Sequence, residues 1–88
     1  MKVYVVSKLY ESEDGTSLDI EIYDSLEKAK QCKQKWIDDA WHFIEDIQRD
    51  IDNGLDSIIE NEEMYFIASD FVNYYDCLTI SIKEKEIR

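Results

Sequence analysis

Two stretches near the N-terminus alternate between apolar and polar residues, as half-buried strands do. Residues 3–10 (VYVVSKLY) are rich in β-branched and aromatic side chains, and residues 17–23 (SLDIEIY) alternate strictly. The Asp14-Gly15 pair between them is a strong short-range hairpin signal. The pattern therefore predicts an antiparallel β-hairpin at the start of the chain.

The period then changes to that of a helix. From Ser25 to Asn53 the apolar residues recur at steps of three and four, which predicts one amphipathic helix. Asp24 with Glu27 forms a capping-box pattern at its start, and Gly54 suits the left-handed position after its end. Such a helix would be roughly 43 Å long, whereas a domain of this size is only about 30 Å across. We therefore expect it either to overhang the body or to bend near Asp38-Asp39.

The remaining segments complete a small α+β fold. Residues 55–63 could form a short helical turn, residues 64–68 read as a third strand, residues 69–74 as a turn, and residues 76–87 as the last strand. The order ββα(α)ββ predicts a single α+β domain over residues 1–88. Its architecture would be a two-layer sandwich, in which a four-stranded antiparallel sheet carries one long helix on one face.

Alternation also predicts which side chains the sheet turns toward the helix. We expect the helix-facing set to include Leu18, Ile20, Ile22, Leu78, Ile80 and Ile82. The other face would then carry, depending on register, a mixture that includes Tyr4, Val6, Tyr10, Tyr23, Cys77 and Thr79. The chain has six tyrosines, and tyrosine suits interfaces because it combines rigid contact area with a polar tip. This face could form a homodimer, contact another protein, or be an ordinary half-exposed sheet.

Composition narrows the class of protein. The 88 residues are 44% apolar, which is typical of a globular domain, and no run of 18 apolar residues predicts a membrane span. Two cysteines cannot build a disulfide framework, and the strand-like N-terminus does not resemble a signal peptide, so we expect a cytoplasmic protein. The formal net charge of −11 argues against nucleic acid or an anionic membrane as a direct ligand.

Candidate catalytic chemistry is sparse. His42 has Asp38 and Asp46 four residues to either side, so it could help to hold a divalent cation, or it could simply be exposed among carboxylates. Neither Cys32 nor Cys77 has a ligand or nucleophile partner nearby in the sequence, and no glycine-rich phosphate loop is present. We expect no enzyme activity, no bound metal and no cofactor.

The distribution of acids is more informative. Between Asp38 and Glu63 there are ten acids and one base, Arg49, whereas Lys28 to Lys35 holds four lysines and no acid. This polarity opposes the helix dipole, which favours anions at the N-terminus and cations at the C-terminus. Such a cluster serves either binding of a basic partner or solubility alone. The candidate binding residues are Asp38, Asp39, Glu45, Asp46, Asp50, Asp52, Glu60, Glu62 and Glu63.

Three segments resemble a broad group of small bacterial and phage proteins. They are the N-terminal MKVYVV, the YDSLEKAKQ that leads from the second strand into the helix, and the closing LTISIKEKEI. The resemblance covers residues 1–31 and 77–87 and implies fold and provenance. Small acidic phage proteins include anti-CRISPR and other anti-defence inhibitors, several of which resemble nucleic-acid mimics. The size and the acidic stretch are similar to that class, although no site residue is carried over from it.

Two functional hypotheses follow. The first is a non-catalytic binding module, of the kind that a phage encodes as an inhibitor, whose carboxylates imitate phosphates and occlude the basic surface of a protein partner such as a nucleic-acid-binding protein. The second is a small cytosolic domain that homodimerises through its sheet face, with its charge serving solubility.

Overall fold

The computed structural model describes residues 1–70 and 76–87 of the chain. Within these ranges it contains the strands β1 (Lys2–Ser12), β2 (Gly15–Tyr23), β3 (Ile58–Asn61), β4 (Tyr65–Ser69) and β5 (Cys77–Glu86), and the helices α1 (Leu26–Asp39) and α2 (Trp41–Asp52). The strands form one antiparallel sheet in the order β2-β1-β5-β4-β3. The α+β class predicted from the sequence is confirmed, but the sheet has five strands rather than four and the helix is divided in two.

The β1–β2 hairpin forms where the Asp-Gly pair predicts it. Ser12 pairs with Gly15, so Glu13 and Asp14 make the two-residue turn. Gly15 has φ +136°, a conformation that residues with a Cβ rarely adopt. The short turn fixes the register along the whole hairpin.

Helix α1 begins one residue later than the capping box predicts. Ser25 is the N-cap, and its Oγ accepts a hydrogen bond of 3.2 Å from the backbone N–H of Lys28. Asp24 instead accepts a hydrogen bond of 2.9 Å from Lys28 Nζ, an ion pair that lowers the pKa of Asp24. The prediction of Asp24 as the cap was wrong because either side chain can satisfy a free amide, and here the serine lies closer.

The expectation of a bend near Asp38-Asp39 is confirmed, because the helix breaks at Ala40. Ala40 has φ −95° and ψ 19°, and its N–H donates to the carbonyl of Ile37 at 3.1 Å, which is the tighter spacing of a helix end. Beyond the break, α2 packs against β3 and β4, and its Ile47, only 1% exposed, belongs to the same core cluster as Val6 and Ile80. The folded chain is 48 Å along its longest axis, so the length of the helix alone did not require the break.

Helix α2 ends at the glycine that the sequence indicates. Gly54 has φ +79°, its N–H donates to the carbonyl of Ile51, and the N–H of Leu55 donates to the carbonyl of Asp50. These two hydrogen bonds make a Schellman motif, which satisfies carbonyls that the end of a helix otherwise leaves unpaired.

The segment after α2 is a strand and not the helical turn predicted over residues 55–63. Ile58–Asn61 pairs with β4 as the edge strand β3. Ladder hydrogen bonds to β4 decide its conformation, because a four-residue segment has no helical preference strong enough to resist pairing. The third predicted strand appears as β4 and the last as β5, whereas most of the turn predicted over 69–74 lies outside the described residues.

The hairpin register reverses part of the predicted sheet. Val6, on the helix-covered face, pairs with Glu21, so the odd-numbered residues of β2 face the helices and Leu18, Ile20 and Ile22 face the other way. These three side chains are 58%, 54% and 62% exposed. The prediction that they face the helix was therefore wrong. They are exposed because they lie on the face of the sheet that no described helix covers.

The tyrosines of the first hairpin are likewise on the helix side. Tyr4, Tyr10 and Tyr23 pack against the buried core, and Val6 is completely buried within it. The prediction that they lie on the opposite face was wrong, because the β1–β2 register turns them toward the helices. Leu78, Ile80 and Ile82 are buried as predicted, and Cys77 and Thr79 lie on the opposite face as predicted.

The side of the sheet away from the helices is named the open face here. It consists of the alternate strand residues Val3, Val5, Ser7, Leu9, Glu11, Thr16, Leu18, Ile20, Ile22, Ile58, Glu60, Tyr65, Ile67, Ser69, Cys77, Thr79, Ser81, Lys83 and Lys85. Its aliphatic residues lie mainly on β1 and β2, its central strand β5 is polar, and no described helix covers it. On the first hairpin, the face that was expected to bear tyrosines is thus aliphatic.

Candidate protein-binding site at the acidic end

Helix α2 carries four of the nine predicted binding residues, namely Glu45, Asp46, Asp50 and Asp52. Because Ile47 must point into the core, Glu45 and Asp46 are turned to solvent and Asp50 is half-buried at the boundary. Arg49 lies among them, with Nη1 3.5 Å from an Asp46 oxygen and Nη2 3.9 Å from a Glu45 oxygen. These exposed ion pairs contribute little to stability. The local charge is negative because the three carboxylates outnumber the single guanidinium group of Arg49.

A cavity of about 340 Å³ lies between α2 and the ends of β4 and β5. Asp46 and Asp50 line it from the helix, and Asp70 and Asp76 line it from the sheet. Asp70 and Asp76 come together because the Asp70 N–H donates to the Asp76 carbonyl at 2.8 Å, just beyond the β4–β5 pairing. Four carboxylates from three separate segments therefore surround one space.

Tyr10 anchors Asp76 at this position. Its hydroxyl donates a hydrogen bond of 3.0 Å to Asp76 Oδ2, and its ring meets Phe43 edge to face with centroids 5.6 Å apart. Burial, followed by the hydrogen bond and the negative charge of Asp76, raises the pKa of Tyr10. The neutral phenol therefore holds the carboxylate in place across the ordinary pH range.

The turn of the first hairpin extends the acidic surface. A second hollow, of about 230 Å³, is lined by Glu13 and Asp14 of that turn together with Asp76 and Tyr10. Because Asp76 lines both spaces, the two are neighbours. We call this combined surface the acidic end; its carboxylates are Glu13, Asp14, Asp46, Asp50, Asp70 and Asp76, and Arg49 is the one cation among the described residues that line it.

The other predicted residues of the two helices lie around this end. Asp38 is exposed and accepts a hydrogen bond of 2.9 Å from Gln34, and Asp52 accepts one of 2.9 Å from Gln48. Asp39 lines a third space, of about 340 Å³, which also contains Lys8 and Trp36. Lys8 Nζ sits 5.3 Å from the centre of the Trp36 ring. This part of the surface is therefore of mixed charge.

The predicted residues after α2 are placed elsewhere. Glu60 lies on the open face, where it accepts a hydrogen bond of 3.3 Å from Tyr65. Glu63 in the β3–β4 turn pairs with Lys30 of α1, which lowers the pKa of Glu63. Burial lowers the pKa of Lys33, and the negative charge of Glu62 partly offsets that shift. The turn acids thus offset the lysines of α1 and do not join the acidic end.

Four members of the acidic end were missed from the sequence. Glu13 and Asp14 are turn residues, and Asp70 and Asp76 flank a connection between strands, so none belongs to the acidic stretch of residues 38–63. Their position at one end follows from the hairpin and from β4–β5 pairing. Correct strand pairing would have been the only signal available.

His42 and the two cysteines were the other residues that the sequence offered for chemistry. The His42 ring stacks on Trp41, with centroids 3.5 Å apart. Among the residues that the structure describes, no group of three His, Cys, Asp or Glu side chains is placed to hold a metal ion. Cys32 is buried, where its hydrogen bond with Tyr23 raises the pKa of that phenol to about 12, and Cys77 accepts a hydrogen bond from Ser69.

In residues 1–70 and 76–87, neither helix is long and apolar enough to cross a membrane. Comparison of the chain with protein-family models, curated proteins and solved structures gives no match.

Proposed function

We propose that this chain is a small non-catalytic binding protein that uses its acidic end to occlude the basic surface of a protein partner. The partner class is a nucleic-acid-binding protein, whose phosphate-binding arginines and lysines would pair with the carboxylates instead. This would be the action of a small acidic phage inhibitor, a class that the chain resembles in its size and its acidic stretch. The observation that supports it is the convergence of six carboxylates from four chain segments around two adjoining hollows.

The negative charge of the chain is unevenly distributed over its surface. The open face carries Glu11, Glu60, Lys83 and Lys85 and is therefore neutral, while the chain as a whole has a net charge of −11. The acid excess lies on the helix side and around the acidic end. Charges that served solubility alone could be spread over every face of the protein. A negative field that is localised on one side instead steers a basic partner to that side.

The physical mechanism is substitution of carboxylate for phosphate. Arginine forms strong paired hydrogen bonds with either group, so a surface that binds a phosphate backbone also accepts closely spaced carboxylates. Bound in this way, the acidic end would exclude DNA or RNA by occupying the same side chains. Affinity would fall with added salt, because Glu13, Asp14 and Asp46 are exposed and salt screens exposed charges.

The test is capture of partners from nuclease-treated bacterial lysate at low and high salt, with three baits. They are the wild-type chain, a variant with Asp14→Asn, Asp46→Asn and Asp50→Asn, and a control with Glu21→Gln, Glu27→Gln and Glu86→Gln, which has the same net charge. Any basic protein retained is purified, and its binding to a labelled DNA or RNA fragment is measured with each of the three chains as competitor.

We expect the wild type and the control to compete and the acidic-end variant to compete about tenfold less well, a change of about 1.4 kcal/mol. Equal competition by both variants would mean that net charge acts without a defined site, which is the solubility interpretation. Retention of no basic protein at low salt would also contradict the proposal.

A further inference from the structure

Among the described residues, the open face carries a group of exposed apolar side chains that neither helix covers. Leu18, Ile20 and Ile22 are more than half exposed there, and Val5 and Leu9 lie beside them on β1. Monomeric proteins rarely expose contiguous apolar patches of more than a few hundred square ångströms, and larger ones usually mark a contact with another molecule.

Several hydroxyl groups of this face are already paired within it. Ser7 and Ser81 share a hydrogen bond of 2.8 Å, and Ser69 donates one of 3.0 Å to Cys77 Sγ. Covering the face would therefore leave few hydroxyl groups without partners, which is the usual cost of burying polar atoms. These hydroxyl groups can therefore be buried against another surface without losing their hydrogen bonds.

The charged residues of the open face indicate which kind of partner it would bind. Lys83 and Lys85 lie at one end of the strands, beside Val3 and Val5, and Glu11 lies at the opposite end, where β1 pairs with Cys77. Within the described part of the chain none of these three residues forms an ion pair. A basic partner would meet the lysines and an acidic one the glutamates, whereas a second copy turned end for end would set lysine against glutamate.

We propose that the open face binds a second copy of this chain, forming a face-to-face dimer in which the strands of the two sheets run antiparallel. The two-fold axis crosses the strands through the row of residues Ile20, Ser7, Ser81 and Tyr65, which pair across the sheet. Ile20 then meets Ile20 of the second copy, Leu18 meets Ile22, and Lys85 comes within reach of Glu11. A two-fold axis parallel to the strands would gather all four lysines at one end.

The size of the face agrees with this occupant. Five strands about 4.8 Å apart, with side chains over about 25 Å of strand length, give about 600 Å² on each copy. The total of about 1,200 Å² lies at the lower end of specific interfaces, so we expect a dimer that dissociates at micromolar concentrations. The acidic ends would lie at opposite ends of the dimer, which keeps their charges far apart.

The test is sedimentation equilibrium of the wild-type chain from 1 to 200 μM, together with three surface variants. Ile20→Lys places two ammonium groups on the axis and should give a monomer at every concentration. Glu21→Lys, the neighbouring residue on the helix side of β2, is the matched control and should remain dimeric. Circular dichroism verifies that each variant is folded, which we expect because both positions are exposed in the single chain.

The orientation is tested by exchanging charges. Glu11→Lys should weaken the dimer at least threefold, and the double variant with Glu11→Lys and Lys85→Glu should restore it. Failure of the double variant to restore it would overturn the antiparallel arrangement. A wild-type chain that stays monomeric at 200 μM, with a thermal midpoint that does not depend on concentration, would overturn the proposal itself. None of these measurements involves the acidic end, so the two proposals fail independently.

Discussion

Replacing Ile47 by alanine tests whether α2 is held to the sheet by the one α2 side chain that is buried among the described residues. Ile47 is 1% exposed and belongs to the same core cluster as Val6 and Ile80. If α2 merely lay beside the body, the acidic end would lose the carboxylates that α2 contributes. The docking of this helix is therefore the structural premise of the binding site.

The expected cost comes from the atoms removed. Isoleucine to alanine deletes three carbons, worth about 0.8 kcal/mol each when fully buried. The residual cavity adds to this cost, while the better helix propensity of alanine returns about 0.4 kcal/mol. We expect a loss of about 3 kcal/mol from a domain whose total stability should be about 4–13 kcal/mol. With a urea m-value of about 1–1.5 kcal/mol/M, the unfolding midpoint should fall by about 2–3 M.

The assay is urea unfolding followed by far-ultraviolet circular dichroism, with all chains at one concentration so that self-association affects them equally. Ile51→Ala is the matched control, since Ile51 lies on the same helix and gains the same propensity but is only half-buried. It should cost about half as much. A loss below about 1 kcal/mol for Ile47→Ala, or equal losses for the two variants, would show that α2 is not docked as described.

Two further predictions concern the helix start and the buried phenol. Ser25→Ala should lower the free energy of unfolding by about 1 kcal/mol, because it removes the acceptor of the Lys28 N–H. Asp24→Ala should lower it by less, since it removes only an exposed ion pair. If urea unfolding gave the opposite order, Asp24 would be the cap. The pKa of Tyr10 is raised in the folded chain, so the folded chain keeps a proton that the unfolded chain loses near pH 10. The neutral phenol therefore contributes fully to stability below pH 10, and this contribution is lost as the pH rises through the folded pKa. The unfolding midpoint of the wild type should therefore fall more steeply between pH 9 and 11 than that of Tyr10→Phe, and parallel curves would refute the hydrogen bond to Asp76.

Local chemistry determined much of the fold. The Asp14-Gly15 pair specified the first hairpin, because only a tight turn with an unusual glycine conformation fits between two strands so close in sequence. Gly54 ended α2 for a similar reason. Alternation placed Leu78, Ile80 and Ile82 in the core.

Tertiary structure decided everything that depends on pairing between distant segments. Alternation shows that Leu18, Ile20 and Ile22 share a face, but only the register with β1 decides which face, since a shift of one residue turns every side chain over. Residues 58–61 became a strand because β4 offered an unpaired edge. Asp70 and Asp76 joined the acids of α2 because strand pairing brought them there. The sequence by itself determined the elements and the amount of acidic charge, and only the folded chain decided where that charge gathers, because its position depends on contacts between residues far apart in the chain.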